Sequence, residues 1–421
     1  MRLQNGTFVL ATKGYQRMLA SQPPMLVLGL GAMLLAGAAL SVLADRWHVP
    51  DIVLFLLLGV LLGPSLLGLV RPQDLPDLTE AAVMLGAAYL LFEGGRSLDA
   101  DELRAGWRAT LLLATLGVLV TTVMVAGAAH LAFGLALGPA LLLGAVLAPT
   151  DPAAIIPVLT ALPVSRRLEA LLVSESAAND ATGAALAAVL AGSGQSIATG
   201  FATLAWNLAL GVAVGAIVGL ALHALQGRLK GSQHSLRPLM GLAAMVTAYA
   251  LATAAAASGF LAAFVAGLLA GRSYRRLRSR DPVAASFVEY SAGIFGRLTR
   301  LIVFTLVGAS LVPGVLWRLA LPALLVIFAL VFVARPLTVL LLRLDRRGRY
   351  PWPEVAFAGW VRETGVVPGA LAALLLARHA AGAPVVAACV FAALIVTLLG
   401  QAPTTRYVAG RLGLLNQRES A

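Results

Sequence analysis

The chain has 421 residues, 60% of them hydrophobic and only 12% charged, with a mean hydropathy of +0.89. A soluble domain carries about 25% charged residues, so a water-soluble globule is excluded, and the same apolar excess excludes disorder. The formal charge is +12, all but two of the 31 basic residues are arginine, and the single cysteine, Cys389, excludes a disulfide framework or a cysteine-bound metal.

Residues 1–24 lack the layout of a signal peptide and read as a tail or an interfacial helix. Thirteen apolar segments follow, near 25–44, 50–70, 79–98, 109–133, 138–160, 168–192, 198–225, 239–257, 259–271, 295–316, 319–342, 354–378 and 384–405. None shows the strict alternation of a barrel strand, so the expected fold is an all-α polytopic membrane protein with about 13 transmembrane helices over 25–405. The ninth segment is short and follows the eighth almost without a loop. Residues 406–421 read as a short cytoplasmic tail.

Assigning the loops alternately to two sides places 21 basic residues on one side and six on the other. The positive-inside rule makes the basic side cytoplasmic, so the N-terminus is expected outside and the C-terminus inside. Topology therefore explains the positive charge better than nucleic acid does. The runs Arg272–Arg280 and Arg343–Arg349 read first as loop topology determinants and second as lipid- or nucleotide-sensing patches.

The informative residues are acids within apolar segments. A mid-bilayer Asp costs about 2.5–3.5 kcal/mol even on the lenient insertion scale, so such groups are expected to face a protein interior or a wet cavity. Glu93 lies near the end of the third segment. In the fifth, Pro149-Thr-Asp-Pro152 removes backbone donors and predicts a broken helix whose freed groups point into the protein. In the sixth, Glu175 shares a helix face with Asn179, and Ser176 shares the adjacent face with Asp180. These oxygen ligands suit a small hard cation, and the surrounding alanines and Gly183 admit a close partner helix.

The twelfth segment holds a second interruption, with Arg362, Glu363, Gly365 and Pro368. It follows the fifth by seven segments. Two six-helix repeats joined by the seventh segment are therefore expected, inverted across the membrane, with their discontinuous helices crossing at a central site. The arginine would offset the buried carboxylates.

At these residues the chain resembles the cation:proton antiporter-1 family. The matching pieces are Phe92–Asp99, Ala148–Pro152, Ser174–Asp180, Gly359–Pro368 and Thr397–Gln401, in family order. The resemblance implies a homodimer with interleaved dimerisation and mobile core subdomains. It implies that Asp180 carries a proton and a cation in turn, with Ser176, the Thr150 carbonyl and Glu93 completing the site. Asn179 before Asp180 goes with electroneutral exchange. Asp151 would cap the helix crossing, and Glu175 would pair with the arginine of the twelfth segment. The family pattern there is Gly-x-Arg-Gly-x-Val, whereas this chain places Arg362 two residues earlier and adds Glu363, which leaves the partner of Glu175 open.

The expected activity is exchange of Na+ or K+ for H+ by alternating access across a bacterial inner membrane, with no cofactor, no metal beyond the transported ion and no nucleic-acid partner. The alternative is a sodium-coupled organic-anion symporter on a related inverted-repeat fold. An enzyme is not expected: His48, His130, His223, His234 and His379 form no His-Glu-x-x-His run, and there is no Gly-x-Ser-x-Gly elbow. His130 and His379 are candidates for tuning a pH response.

Overall fold

In a lipid interior every backbone N–H and C=O must find a partner within the chain, which leaves helices as the solution for sequences of this period. A computed structural model describes residues 23–47, 50–98, 100–151, 162, 164–191, 197–229, 231–311, 313–345, 350–378 and 380–415, and among these the regular structure is entirely helical. Most of the expected N-terminal segment, the fifth segment from Pro152 to residue 161, His48, His379 and much of the Arg343–Arg349 run lie outside the described residues.

The first helices are α1 (Pro23–Trp47), α2 (Asp51–Leu62) and α3 (Pro76–Ser97). Helices α4 (Ala100–Leu112) and α5 (Val118–Phe133) continue through one π turn at Leu113–Gly117. Next come α6 (Leu137–Leu147), α7 (Arg166–Ala191), α8 (Ile197–Gln226), α9 (Arg237–Ala254), α10 (Gly259–Arg280) and α11 (Pro282–Ala309). Helices α12 (Pro313–Ala329) and α13 (Arg335–Leu340) are joined by a π turn at Leu330–Ala334. The last are α14 (Trp352–Trp360), α15 (Val366–Ala377), α16 (Ala383–Val396) and, after a π turn at Thr397–Gln401, α17 (Ala402–Arg411).

Among the described residues each apolar segment contains helix, with some boundaries moved. The ninth runs on to Arg280 and the tenth starts at Pro282, so Arg272–Arg280 is a helix end and not a loop. Nothing in that run breaks a helix until Asp281-Pro282, where the Asp281 carboxylate accepts from the amide of Ala284 at 3.0 Å and starts α11. The eighth and ninth segments are separate helices: Ala256 takes a left-handed φ of 53° between them, and Ser258 caps α10. The π turns of the fourth and eleventh segments sit seven segments apart, as a repeat requires, and these helices touch through Thr121 and Thr338, whose hydroxyls are 3.0 Å apart.

Close packing relies on small residues, since apolar side chains gain little by leaving lipid for one another. Gly211, Gly215 and Gly219 of α8 line up on α10, where a Cβ would meet the Ser258 carbonyl at 2.9 Å, the Ala262 Cα at 2.9 Å and the Ala266 Cα at 3.0 Å. Gly95 and Gly267 seat α3 against α10 on the carbonyls of Phe264 and Phe92. The helices gather into two groups, α1–α3 with α8–α11 and α4–α7 with α12–α17, which meet where α3, α10 and α11 face α7 and α15. Among the described residues seven helical stretches are long and apolar enough to cross a membrane, and Leu35, Leu131, Ile217 and Trp317 face outward from them, as lipid contact demands. Two of the three shorter apolar helices, α6 and α15, are halves of the interrupted ones.

Candidate functional site

A helix that stops inside a protein leaves carbonyls at its C-terminal end and amides at its N-terminal end without partners. Here α6 stops at Leu147, α14 stops at Trp360, and the non-helical segments 148–151 and 361–365 cross. The amide of Asp151 donates to the Glu363 carbonyl at 3.0 Å. Pro149 contributes to the first break by supplying no donor.

Two charged side chains complete the crossing. The Arg362 guanidinium donates to the carbonyl of Leu147 and reaches those of Ala148 and Pro149 at 3.4 Å. It therefore neutralises the negative end of α6. The Asp151 carboxylate accepts from the amide of Val366 at 3.3 Å and meets the positive end of α15. Gly365 makes room for it, because a Cβ there would overlap the Asp151 side chain.

Each extended segment is also held by the next apolar segment of its repeat. In the first repeat the Thr150 amide donates to Asn179 Oδ1 at 3.1 Å, and in the second the Thr364 amide donates to Thr397 Oγ1 at 3.0 Å. Asn179 and Thr397 lie on the sixth and thirteenth segments, again seven apart. Asn179 Nδ2 donates to Thr150 Oγ1 at 3.0 Å, and that oxygen lies 2.8 Å from Ser176 Oγ. Thr150, Ser176 and Asn179 thus form a closed polar cluster beside Asp180.

Asp180 is 5% exposed, and its Oδ1 has no hydrogen-bond partner among the described residues. With Asp151 it lines a cavity of about 380 Å³ between α3, α11 and the crossing, whose walls also include Glu93, Glu289 and Arg297. Four buried carboxyl groups, those of Asp151, Glu175, Asp180 and Glu363, and two buried guanidinium groups, those of Arg335 and Arg362, gather at and beside the crossing.

The structure brings Asp180, Asn179, Ser176, Thr150 and Asp151 together, with Arg362 at the crossing. Glu93 reaches the same cavity, but its carboxylate is occupied: Arg96 donates from Nε to Oε2 at 2.8 Å and from Nη2 to Oε1. Glu175 does not pair with the arginine of the twelfth segment. Its two oxygens take Nη1 and Nη2 of Arg335, the second at 3.1 Å. The reason is that Arg362 is committed to α6, whereas Arg335 also donates to the carbonyls of Ala358 at 2.9 Å and Val361 at 3.2 Å, closing the end of α14. The pair is nearly sealed, with side chains 4% and 2% exposed. Arg335 was visible in the sequence as a charge within the eleventh apolar segment; its partner was not. Glu363 lies at the crossing, fully buried, and neither carboxylate oxygen has a hydrogen-bond partner among the described residues.

A family profile described as "Sodium/hydrogen exchanger, transmembrane" matches residues 31–409. The K(+)/H(+) antiporter NhaP of Alkalimonas amylolytica is 29% identical over 355 residues, covering 82% of this chain and 59% of that protein. The K(+)/H(+) antiporter NhaP2 of Shewanella oneidensis is 28% identical over 382 residues, covering 88% of this chain and 64% of that protein. The chain thus spans about three fifths of the length of these relatives. The Na(+)/H(+) antiporter 1 of Methanocaldococcus jannaschii is 26% identical over 364 residues, covering 83% of both proteins. The solved structure of the sodium proton antiporter MjNhaP1 from the same organism, at pH 8, superposes with a TM-score of 0.80 at 22% identity, over 93% of this chain and 100% of that one, and so shares its fold. With the profile extending over nearly the whole sequence, this multi-pass membrane protein belongs to the sodium/hydrogen exchanger transmembrane family.

Proposed function

We propose that this chain exchanges a monovalent cation, Na+ or K+, for a proton by alternating access, with the two competing for Asp180. The observation that carries the reading is the Asp180 carboxylate itself: buried, lacking a donor at Oδ1 among the described residues, and set in the wall of the cavity. An anionic oxygen without a donor needs a proton or a cation, and one site that accepts either couples the two fluxes by exclusion. The names of the relatives support both potassium and sodium as the cation. None of them is an organic-anion symporter, so that alternative gains no support.

Asn179 supports electroneutral exchange. Its amide spends both ends on Thr150, so the position before the proposed carrier adds no second charge to the cavity. The cavity lies where the two helix groups meet, which supports movement of the α4–α7/α12–α17 group past the other, with the latter forming a homodimer. The same reading places the arginine-rich side in the cytoplasm of a bacterial inner membrane, with the N-terminus outside. The test is proton flux in vesicles reporting internal pH, driven by each alkali cation in turn, with and without a protonophore. Cation-driven flux in wild type and none in Asp180→Asn supports the reading; equal flux in both overturns it.

A further inference from the structure

We propose that the ends of α8, α9 and α10 form a binding site for a phosphate-bearing anion, separate from the Asp180 cavity. A cavity of about 260 Å³ opens there, lined by His223, His234, Arg237, Ser273, Arg276 and Arg280. Ser273, Arg276 and Arg280 recur at helical spacing along one face of α10, so three turns of that helix feed one wall. The proposal does not depend on the antiport reading, because its readout is binding.

Three observations point to an anion. First, Arg237 is only 8% exposed, yet no carboxylate pairs with it, with Arg276 or with Arg280 among the described residues. A buried cation without a counter-charge is costly, and an anion in the cavity would supply one. Second, Asp281, the acid in the wall among the described residues, caps α11 by accepting from the Ala284 amide and makes no ion pair with these arginines among the described residues. Third, the wall is a set of donors held in place. Arg237 Nη2 is tied to the Gln226 carbonyl at 2.9 Å and its Nε faces His234 Nδ1 at 3.3 Å. His223 lies between Ser273 Oγ, 2.6 Å from Nδ1, and Arg276 Nη1, 3.3 Å from Nε2. Arginine only donates, so Nε2 accepts and Nδ1–H donates to the serine. That fixes the ring and leaves the remaining guanidinium donors of Arg276, together with Arg280, for a tetrahedral oxyanion, which arginine forks match well.

A soluble phosphate and an anionic lipid headgroup share this chemistry, and the experiment separates them. Thermal unfolding of the purified full chain is followed in detergent with pyrophosphate, against sodium chloride at equal ionic strength. In parallel it is followed in phosphatidylcholine nanodiscs with and without added phosphatidylglycerol. Each is repeated with the double variant Arg276→Gln/Arg280→Gln, which alters two exposed side chains. Binding to the folded state raises the midpoint with ligand concentration. A pyrophosphate shift that weakens in the variant, with the dissociation constant raised about tenfold or more, identifies a soluble phosphate. A shift with phosphatidylglycerol alone, again weakened in the variant, identifies a lipid headgroup. No shift with either probe, or equal shifts in wild type and variant, overturns the proposal and leaves the arginines as topology determinants.

Discussion

Asn179 and Thr150 hold each other at two points: the Thr150 amide donates to Asn179 Oδ1 at 3.1 Å, and Asn179 Nδ2 donates to the Thr150 hydroxyl at 3.0 Å. The side chain one residue before the proposed carrier therefore fastens the unwound half of the crossing to α7. Replacing it by Asp keeps the acceptor and adds a charge. The Thr150 hydroxyl then donates to the new carboxylate and receives from Ser176, so the cluster survives with reversed polarity. Asn179→Asp is expected to fold and to make exchange respond to an imposed membrane potential, whereas wild-type exchange is expected not to respond. Flux measured across a series of potassium diffusion potentials checks this.

The proposed competition at Asp180 predicts a definite pH behaviour. When one proton displaces one cation, lowering the pH raises the apparent KM for the cation by up to about tenfold per pH unit, while the rate at saturating cation stays unchanged. Two protons per cation would steepen the dependence to a hundredfold. Initial rates over a grid of pH and cation concentration give the exponent.

Glu175 and Arg335 are mutual partners inside the protein. Removing one leaves the other charged and buried, at a cost of about 3–5 kcal/mol. Arg335→Ala is expected to fall further than this mean, since it also uncaps the carbonyls of Ala358 and Val361. Arg335→Met combined with Glu175→Leu is expected to regain much of the loss by removing both charges. Unfolding midpoints and yields of the two singles and the double close the cycle. Arg362→Gln, by contrast, is expected to leave the Glu175 pair intact and to loosen the end of α6.

Gly365 is needed for space. A methyl group there overlaps the Asp151 carboxylate that meets the Val366 amide, so Gly365→Ala is expected to cost about 1–3 kcal/mol and to depress exchange. Gly127→Ala is the matched control: a Cβ there meets nothing within 4 Å, and it is expected to stay within about 0.5 kcal/mol of wild type. Thermal unfolding and vesicle flux on both variants decide the point.

The helical class, the broken fifth and twelfth segments and the placement of Asp180 inside the protein were all legible in the chain. Each follows from a local cost: apolar runs demand internally bonded backbone, Pro149 removes a donor, and an acid in a bilayer demands a reason. Helix ends in the basic regions were less legible. Arginine and serine continue a helix beyond the apolar edge, so hydropathy placed the ends of α10 and α11 by lipid preference and missed where Asp281-Pro282 breaks the backbone.

Pairing belonged to the tertiary structure. The sequence by itself determined that Glu175, Arg362 and Asp151 had to be compensated, because each is a charge within an apolar segment. It did not determine by what. Arg335 meets Glu175 across 160 positions, and Arg362 reaches Leu147 across 215, distances at which local spacing carries no information. Only the crossing of two interrupted helices decides which guanidinium closes which helix end, and it leaves Asp180 facing the cavity with no donor at Oδ1 among the described residues.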